Sequence, residues 1–254
     1  MITERALSPP PEHGRSELTR TSGTLRPLVF EQGTTAQAQA YQAVREALMA
    51  GRLRPGEEVS LRQAAAALGI SVTPVREALR RVESEGGLVA HGGNRVLRVP
   101  FISAKEVAEI RQIRVELEGM ATASAAQKVT HRQMRLISNA CNLMAAAAAE
   151  NDADRYLEHN WRFHALIYRA ADMPILLGLI EGLWLRIGSV IRLALRDPAH
   201  FNKTMACHRA AEAALRAGDA EAARAAITRD ITDAAADLAE VLEKAEFPNG
   251  DQSA

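Results

Sequence analysis

From residue 103 to residue 244 the apolar side chains recur at helical spacing, and nothing in that stretch alternates as a strand would. This run leaves little room for any fold of the C-terminal half other than packed helices. Its boundaries are written in the sequence. Ser103 with Glu106 and Thr130 with Gln133 are capping boxes, in which a hydroxyl and a longer acceptor satisfy each other's free amides. Asp152 and Asp219 are of the residue type favoured at N-caps. The spacing predicts helices over 104–127, 131–150, 153–171, 175–196, 202–217 and 220–244. Aromatic residues make up only 4% of the 254 residues, and alanine is abundant. That composition favours helices meeting through small side chains, so the expectation is an all-α antiparallel bundle over 101–246, followed by a polar tail, 247–254.

The N-terminal part reads differently. Residues 1–33 hold Pro9, Pro10 and Pro11 among scattered Ser, Thr and Gly without apolar period, and are expected to be a disordered tail. Residues 34–100 carry shorter elements. A helix opens at Thr34 or Thr35 and stops at Gly51, and Arg54-Pro55-Gly56 is a turn. Ser60 and Gln63 have capping-box spacing before a short helix, 61–68, that Gly69 ends. A further helix begins at Ser71 or Thr73, with Pro74 in its first turn and Val75, Ala78, Leu79 and Val82 as its inner stripe. After Gly86 and Gly87, residues 88–91 and 96–99 predict a hairpin around Gly92-Gly93-Asn94, with a hinge at Pro100 and Phe101. Two short helices with a tight turn and then a hairpin make a winged helix-turn-helix.

Such a unit reads DNA only if its second helix is apolar inside and polar outside. Thr73, Arg76 and Arg80 share the outer face, with the two arginines four residues apart. Arginine bonds guanine bidentately or clamps phosphate. Ser71 and Thr73 stand where a helix N-terminus attracts phosphate, and Arg62 lies near the start of the preceding helix. The alternative is a small helical subdomain with a solvated arginine face.

Charge is consistent with either. The chain has 31 basic and 31 acidic side chains and no net charge, yet 34–100 holds nine arginines against six glutamates, a local excess of +3. Cys141 and Cys207 form no metal or redox spacing, which suits a reducing compartment. No apolar h-region marks the N-terminus, and the most apolar stretch, 174–196, is broken by Glu181, Arg186 and Arg192, at odds with a membrane span. A cytoplasmic protein without membrane partners is expected.

The run Gly51-Arg52-Leu53-Arg54-Pro55-Gly56, followed by the stretch from Ala67 to Gly86 (ALGISVTPVREALRRVESEG), closely resembles the GntR family of regulators. The resemblance implies a transcription regulator with DNA contacts at Arg62, Ser71, Val72, Thr73, Arg76, His91 and Gly92. Two departures stand out: Val72 occupies a place where many members have arginine, and Gly87 is an extra glycine before the wing.

The helical half is similar to the FadR-type branch, with its FCD ligand-binding domain. Arg114-Val115-Glu116-Leu117-Glu118, Asn160-Trp161-Arg162-Phe163-His164, and His208 followed by Ala217-Gly218-Asp219 carry that similarity. The resemblance implies a divalent metal held by Asn160, His164, His208 and Asp230. Asp230 stands where a third histidine is usual, and Asn160 is a neutral donor. Imidazole and oxygen ligands suit zinc, nickel or manganese. Buried histidines bonded to neighbours are the plainer reading, with His131 and His159 at the surface and Trp161 and Trp184 in the core.

Arg111, Arg114, Arg186 and Arg192 lie on otherwise apolar helices, where a buried cation demands an anion. Glu118, Glu181 or a carboxylate effector can supply it. The expected function is therefore a ligand-responsive, non-enzymatic DNA-binding regulator. It would be a homodimeric repressor on a palindromic operator, released or recruited by a small organic acid. Two other readings stay open: a metal-dependent hydrolase on the bundle, though no helix-borne His-Glu-x-x-His is present, and a helical adaptor whose winged unit no longer reads DNA.

Overall fold

Thr35 accepts a bond from the amide of Ala38 and opens helix α1 (Ala36–Met49), whose buried face is Ala40, Tyr41, Val44, Ala47 and Leu48. The computed structural model describes residues 24–29, 33–91, 96–196 and 198–244. After α1 come β1 (Glu58–Val59), α2 (Leu61–Leu68), α3 (Val72–Ser84), β2 (Val89–His91) and β3 (Val96–Arg98). The sheet has strand order β1-β3-β2, with both pairings antiparallel: Glu58 faces Arg98, and Val89 faces Arg98 from the other side. The two-residue β1 gave no sequence signal, being too short to show alternation. Ser60 does cap α2 in an extended conformation, but its side chain makes no capping bond, so the capping box expected there is not formed.

The C-terminal half is α4 (Ala104–Lys128), α5 (His131–Ala149), α6 (Ala153–Ala170), α7 (Pro174–Ile191), a 3-10 turn (Arg192–Arg196), α8 (Pro198–Ala217) and α9 (Ala220–Lys244). Both capping boxes expected at Ser103 and Thr130 are formed. Asp152 and Asp219 accept from the amides of Arg155 and Ala222. The helix expected over 175–196 ends at Ile191, where the chain tightens into the 3-10 turn, and within that turn Leu195 leaves helical geometry. The next helix accordingly begins four residues sooner than expected, at Pro198.

Residues 24–29, read from sequence as part of a disordered tail, are instead a strap. Leu25 is buried in the N-terminal core, the Leu28 amide donates to the Leu68 carbonyl, and Arg26 makes a bidentate pair with Glu158 of α6 at 2.6 and 3.1 Å. Two leucines three residues apart lack the length to show a period.

α7 joins the two halves. Gly188 lies against the end of α1, where an added Cβ would come within 2.6 Å of the Met49 carbonyl oxygen. Ser189 donates to the Leu48 carbonyl, and Leu185 belongs to the N-terminal core while its neighbour Trp184 belongs to the C-terminal one. Gly87 has the same origin: a Cβ there would meet Leu185 at 2.7 Å. The extra glycine thus serves the contact with α7. By length and composition Pro174–Leu195 could cross a membrane. In this fold its C-terminal part is packed in the core, Ile175 and Leu179 at its start are exposed, and Glu181 and Arg192 are held in ion pairs.

Candidate nucleic-acid interface and metal centre

On α3 the inner stripe predicted from sequence is buried, and Ser71, Thr73, Arg76 and Arg80 are exposed on the other side. Arg62, on α2, is exposed as well. Among the described residues Arg76 has no ion-pair partner, whereas Arg80 pairs with Glu77 at 3.1 Å in full contact with solvent. An exposed pair of that kind is worth a few tenths of a kcal/mol, about 0.5, and yields readily to a phosphate. Arg81 is occupied elsewhere, lying over the Tyr41 ring and bonding Glu85. Val72 is half-buried and packs on the winged-unit core, which explains why an apolar residue is tolerated where a base-reading arginine was expected. His91 is exposed at the end of β2; Gly92 lies outside the described residues.

The second assembly lies inside the bundle. Asn160, His164 and Tyr168 follow one another at four-residue intervals along α6 and so share a face. α8 brings His208, α9 brings Asp230, and α4 brings Arg114 and Glu118, all of them buried. His164 and His208 are each 1% exposed. Their Nε2 atoms stand 3.3 Å apart, and each is 3.4 Å from an oxygen of Asp230. Separations of about 3.3 Å are the edges of a tetrahedron with metal–ligand bonds of 2.0–2.1 Å. The two Nε2 atoms are within hydrogen-bond distance of each other, but Asp230 Oδ1 and His208 Nδ1 are buried without a hydrogen-bond partner, so the three groups meet at ligand spacing and are only partly satisfied. These donors fit a divalent cation.

The tautomer of His164 follows from its neighbours. Tyr168 donates its hydroxyl to Glu118 Oε2, leaving its oxygen to accept from His164 Nδ1–H at 2.8 Å. The Nε2 lone pair is thereby turned toward His208 and Asp230; the hydroxyl of Tyr168, itself held by Glu118, plays the outer-shell part that orients a metal-ligating histidine. Burial lowers the pKa of His164, partly opposed by Asp230, and so favours the neutral ring. Burial would raise Asp230, but the two histidines outweigh it and hold the carboxylate well below its ordinary range. Arg114 is fixed by Glu118 (Nε to Oε1, 2.5 Å), so its anionic partner is internal. Tyr168 was missed from sequence, although its place four residues beyond His164 was a usable signal.

Asn160, Arg114, Trp184 and the triad line a cavity of about 20 Å³, room for one water or ion. Arg111 lines a second small cavity that shares Arg114, Ile191, Ile231 and Ala234 with the first. The structure does not bring Arg186 or Arg192 there. Arg192 bonds the Gly51 carbonyl at 2.9 and 3.1 Å and pairs with Asp154 at 2.5 Å, a cation at the C-terminal end of α1. Arg186 is exposed beside Gly86. Periodicity shows that an arginine interrupts an apolar helix, but not which neighbour it meets. His131 is exposed, and His159 is at the surface in part, half-buried with its Nδ1 covered and unpartnered. Trp161 and Trp184 are in the core and in ring contact. Both cysteines are free and buried, and burial pushes the Cys141 thiol up to about 12.

Comparison with known proteins divides along the same line. The family model for bacterial regulatory proteins of the gntR family matches residues 36–97, and the FCD domain model matches 109–233. The chain is 31% identical over 188 residues to the HTH-type transcriptional regulator McbR of Escherichia coli, covering 73% of this chain and 85% of that protein. A probable D-xylose utilization operon transcriptional repressor of Paenarthrobacter nicotinovorans is 30% identical over 200 residues, 78% of this chain and 86% of that one. The solved structure of E. coli McbR/YncC superposes with a TM-score of 0.75 at 29% identity, over 82% of this chain and 98% of that one.

Proposed function

This chain belongs to the GntR family of bacterial regulatory proteins with a C-terminal FCD domain, a DNA-binding transcription regulator, and from that premise we propose how it works. It acts as a homodimeric, cytoplasmic repressor without catalytic activity. Two copies of α3 enter successive major grooves of a palindromic operator, because two-fold protein symmetry matches two-fold DNA symmetry. Arg76 reads a base edge, Thr73 and Ser71 hold phosphate at the helix N-terminus, and Arg62 and Arg80 clamp the backbone. His91, exposed at the end of β2, contacts the flanking backbone, with Gly92 beside it in sequence as the further contact the family resemblance implies. The observation that carries this reading is the exposed Thr73–Arg76–Arg80 face, free of the C-terminal half.

Asn160, His164, His208 and Asp230 would hold one divalent cation, zinc, nickel or manganese, which supplies a positive anchor for a carboxylate. A cavity of about 20 Å³ admits no organic acid, so effector binding requires α4, α7 and α9 to part around Arg114 and Arg111. α7 is the element that transmits such a movement. Trp184 faces the metal cavity, while Leu185, Gly188, Ser189 and Arg192 grip α1 and the winged unit. No observation favours the hydrolase reading: Glu118 is tied to Arg114 and Tyr168 and is not free to serve as a base.

Selecting bound duplexes from a random pool tests the reading, with metal analysis of the same preparation. A palindromic consensus with half-sites about one helical turn apart, and about one metal per chain, is expected. Recovery of no consensus would overturn it.

A further inference from the structure

A further, larger cavity, of about 350 Å³, opens between the halves, with one wall from α1 and the loop after it and the other from α6 and Glu181 of α7. Its volume is in the range of small-molecule sites, and it shares no lining residue with the metal cavity. Arg52 enters from the N-terminal half and Arg162 from α6, and among the described residues neither has an ion-pair or hydrogen-bond partner. The Arg52 Nε is buried and unsatisfied, and burial lowers the pKa of its guanidinium. Among the described residues no carboxylate in the wall forms an ion pair with either cation. Glu158 is engaged by Arg26, and Glu181 by Arg45 and more weakly by Arg169. Glu46 and Glu158 act on Arg52 only at a distance, without an ion pair to it. Beside the cations, Met49, Trp161 and Leu166 give the cavity an apolar flank.

We propose that this inter-domain cavity is a binding site for a small aromatic or aliphatic acid, with its anionic group between Arg52 and Arg162 and its apolar body against Trp161. A half-buried guanidinium such as that of Arg52, with no anion in contact, is unfavourable, and a carboxylate or phosphate ester corrects that defect with charge-assisted hydrogen bonds. The occupant touches both halves at once. Trp161 is in ring contact with Trp184 (centroids 5.0 Å apart), and Trp184 lies over Arg114 in the metal cavity. The two sites are therefore separate but in physical contact.

Calorimetric titration of the full chain with 2-naphthoate, and with the neutral 2-naphthamide as control, tests the site. One saturable site per chain is expected, about tenfold or more weaker for the amide, and unchanged after dialysis against a chelator. R52Q and R162Q should each weaken naphthoate binding about tenfold. Arg162 is exposed, so R162Q keeps the test valid even if R52Q disturbs the fold, which thermal unfolding would show. Absence of saturable heat, equal binding of acid and amide, or R162Q binding as tightly as the parent chain would overturn the proposal. So would binding that is lost on chelation, which would put the acid at the bundle centre.

Discussion

Two arginine–glutamate pairs at helical spacing mark the difference between the two halves. On α3, Arg80 and Glu77 meet at 3.1 Å in water; on α4, Arg114 and Glu118 meet at 2.5 Å with Glu118 fully buried. The chemistry is the same and the consequence opposite. In water the pair gains little over hydrated ions and releases its cation to any phosphate that arrives. In the interior neither charge can leave without the other, so the pair becomes part of the frame that orients His164 through Tyr168. A regulator needs both kinds: a loose charged surface to meet DNA, and a fixed charged interior to respond to a ligand.

Removing one partner of the buried pair should give the largest effect. Glu118→Gln leaves Arg114 as an uncompensated buried charge and should cost about 3–5 kcal/mol in urea unfolding; a loss below about 1 kcal/mol would mean that water reaches the pair. Next is Arg76→Ala, expected to weaken operator binding by about 1–3 kcal/mol while leaving unfolding unchanged within about 0.5 kcal/mol. Tyr168→Phe removes the acceptor for His164 Nδ1–H and should lower metal affinity about 10–100-fold, with DNA binding by the unliganded protein unaltered. Dependence on pH distinguishes the halves again. His164 has its pKa lowered by burial, so below about pH 6.5 the unfolded chain takes up a proton before the folded one does. The stability it contributes is complete above that pH and is lost as pH falls, by about 1.4 kcal/mol per pH unit for one proton. Asp230, also lowered, adds a loss of the same sign below about pH 3.9. Thermal unfolding of the chain across about pH 3–8 reads both losses, and stability rising as pH falls from 7 to 5 would contradict the first. Smallest is Glu77→Ala, which frees Arg80 and should change stability by no more than about 0.5 kcal/mol.

What the sequence disclosed follows from range. The α3 face was legible because its residues all belong to one helix, and amphipathicity is a local property. The capping boxes at Ser103 and Thr130 were legible for the same reason. Asn160 and His164 could be paired across one turn, but their meeting with His208 and Asp230 entered through family resemblance, since spacing on α6 is silent about α8 and α9. Arg192 shows the limit most clearly. As a cation on an apolar helix it looked like an effector ligand, yet it holds the carbonyl end of α1, a partner 141 residues away. The strap at Leu25 and Leu28 and the two-residue β1 escaped because elements that short have no period to detect.

The central claim, that α3 and its neighbour α2 present free cations to a duplex, is tested most directly by the salt dependence of operator affinity. For the parent chain the logarithm of the binding constant should fall linearly with the logarithm of salt concentration. In Arg62→Gln/Arg80→Gln the slope should be shallower by about 0.9 for each lost phosphate contact. A double variant with the parent slope would show that these arginines do not meet the DNA backbone, and would contradict the account.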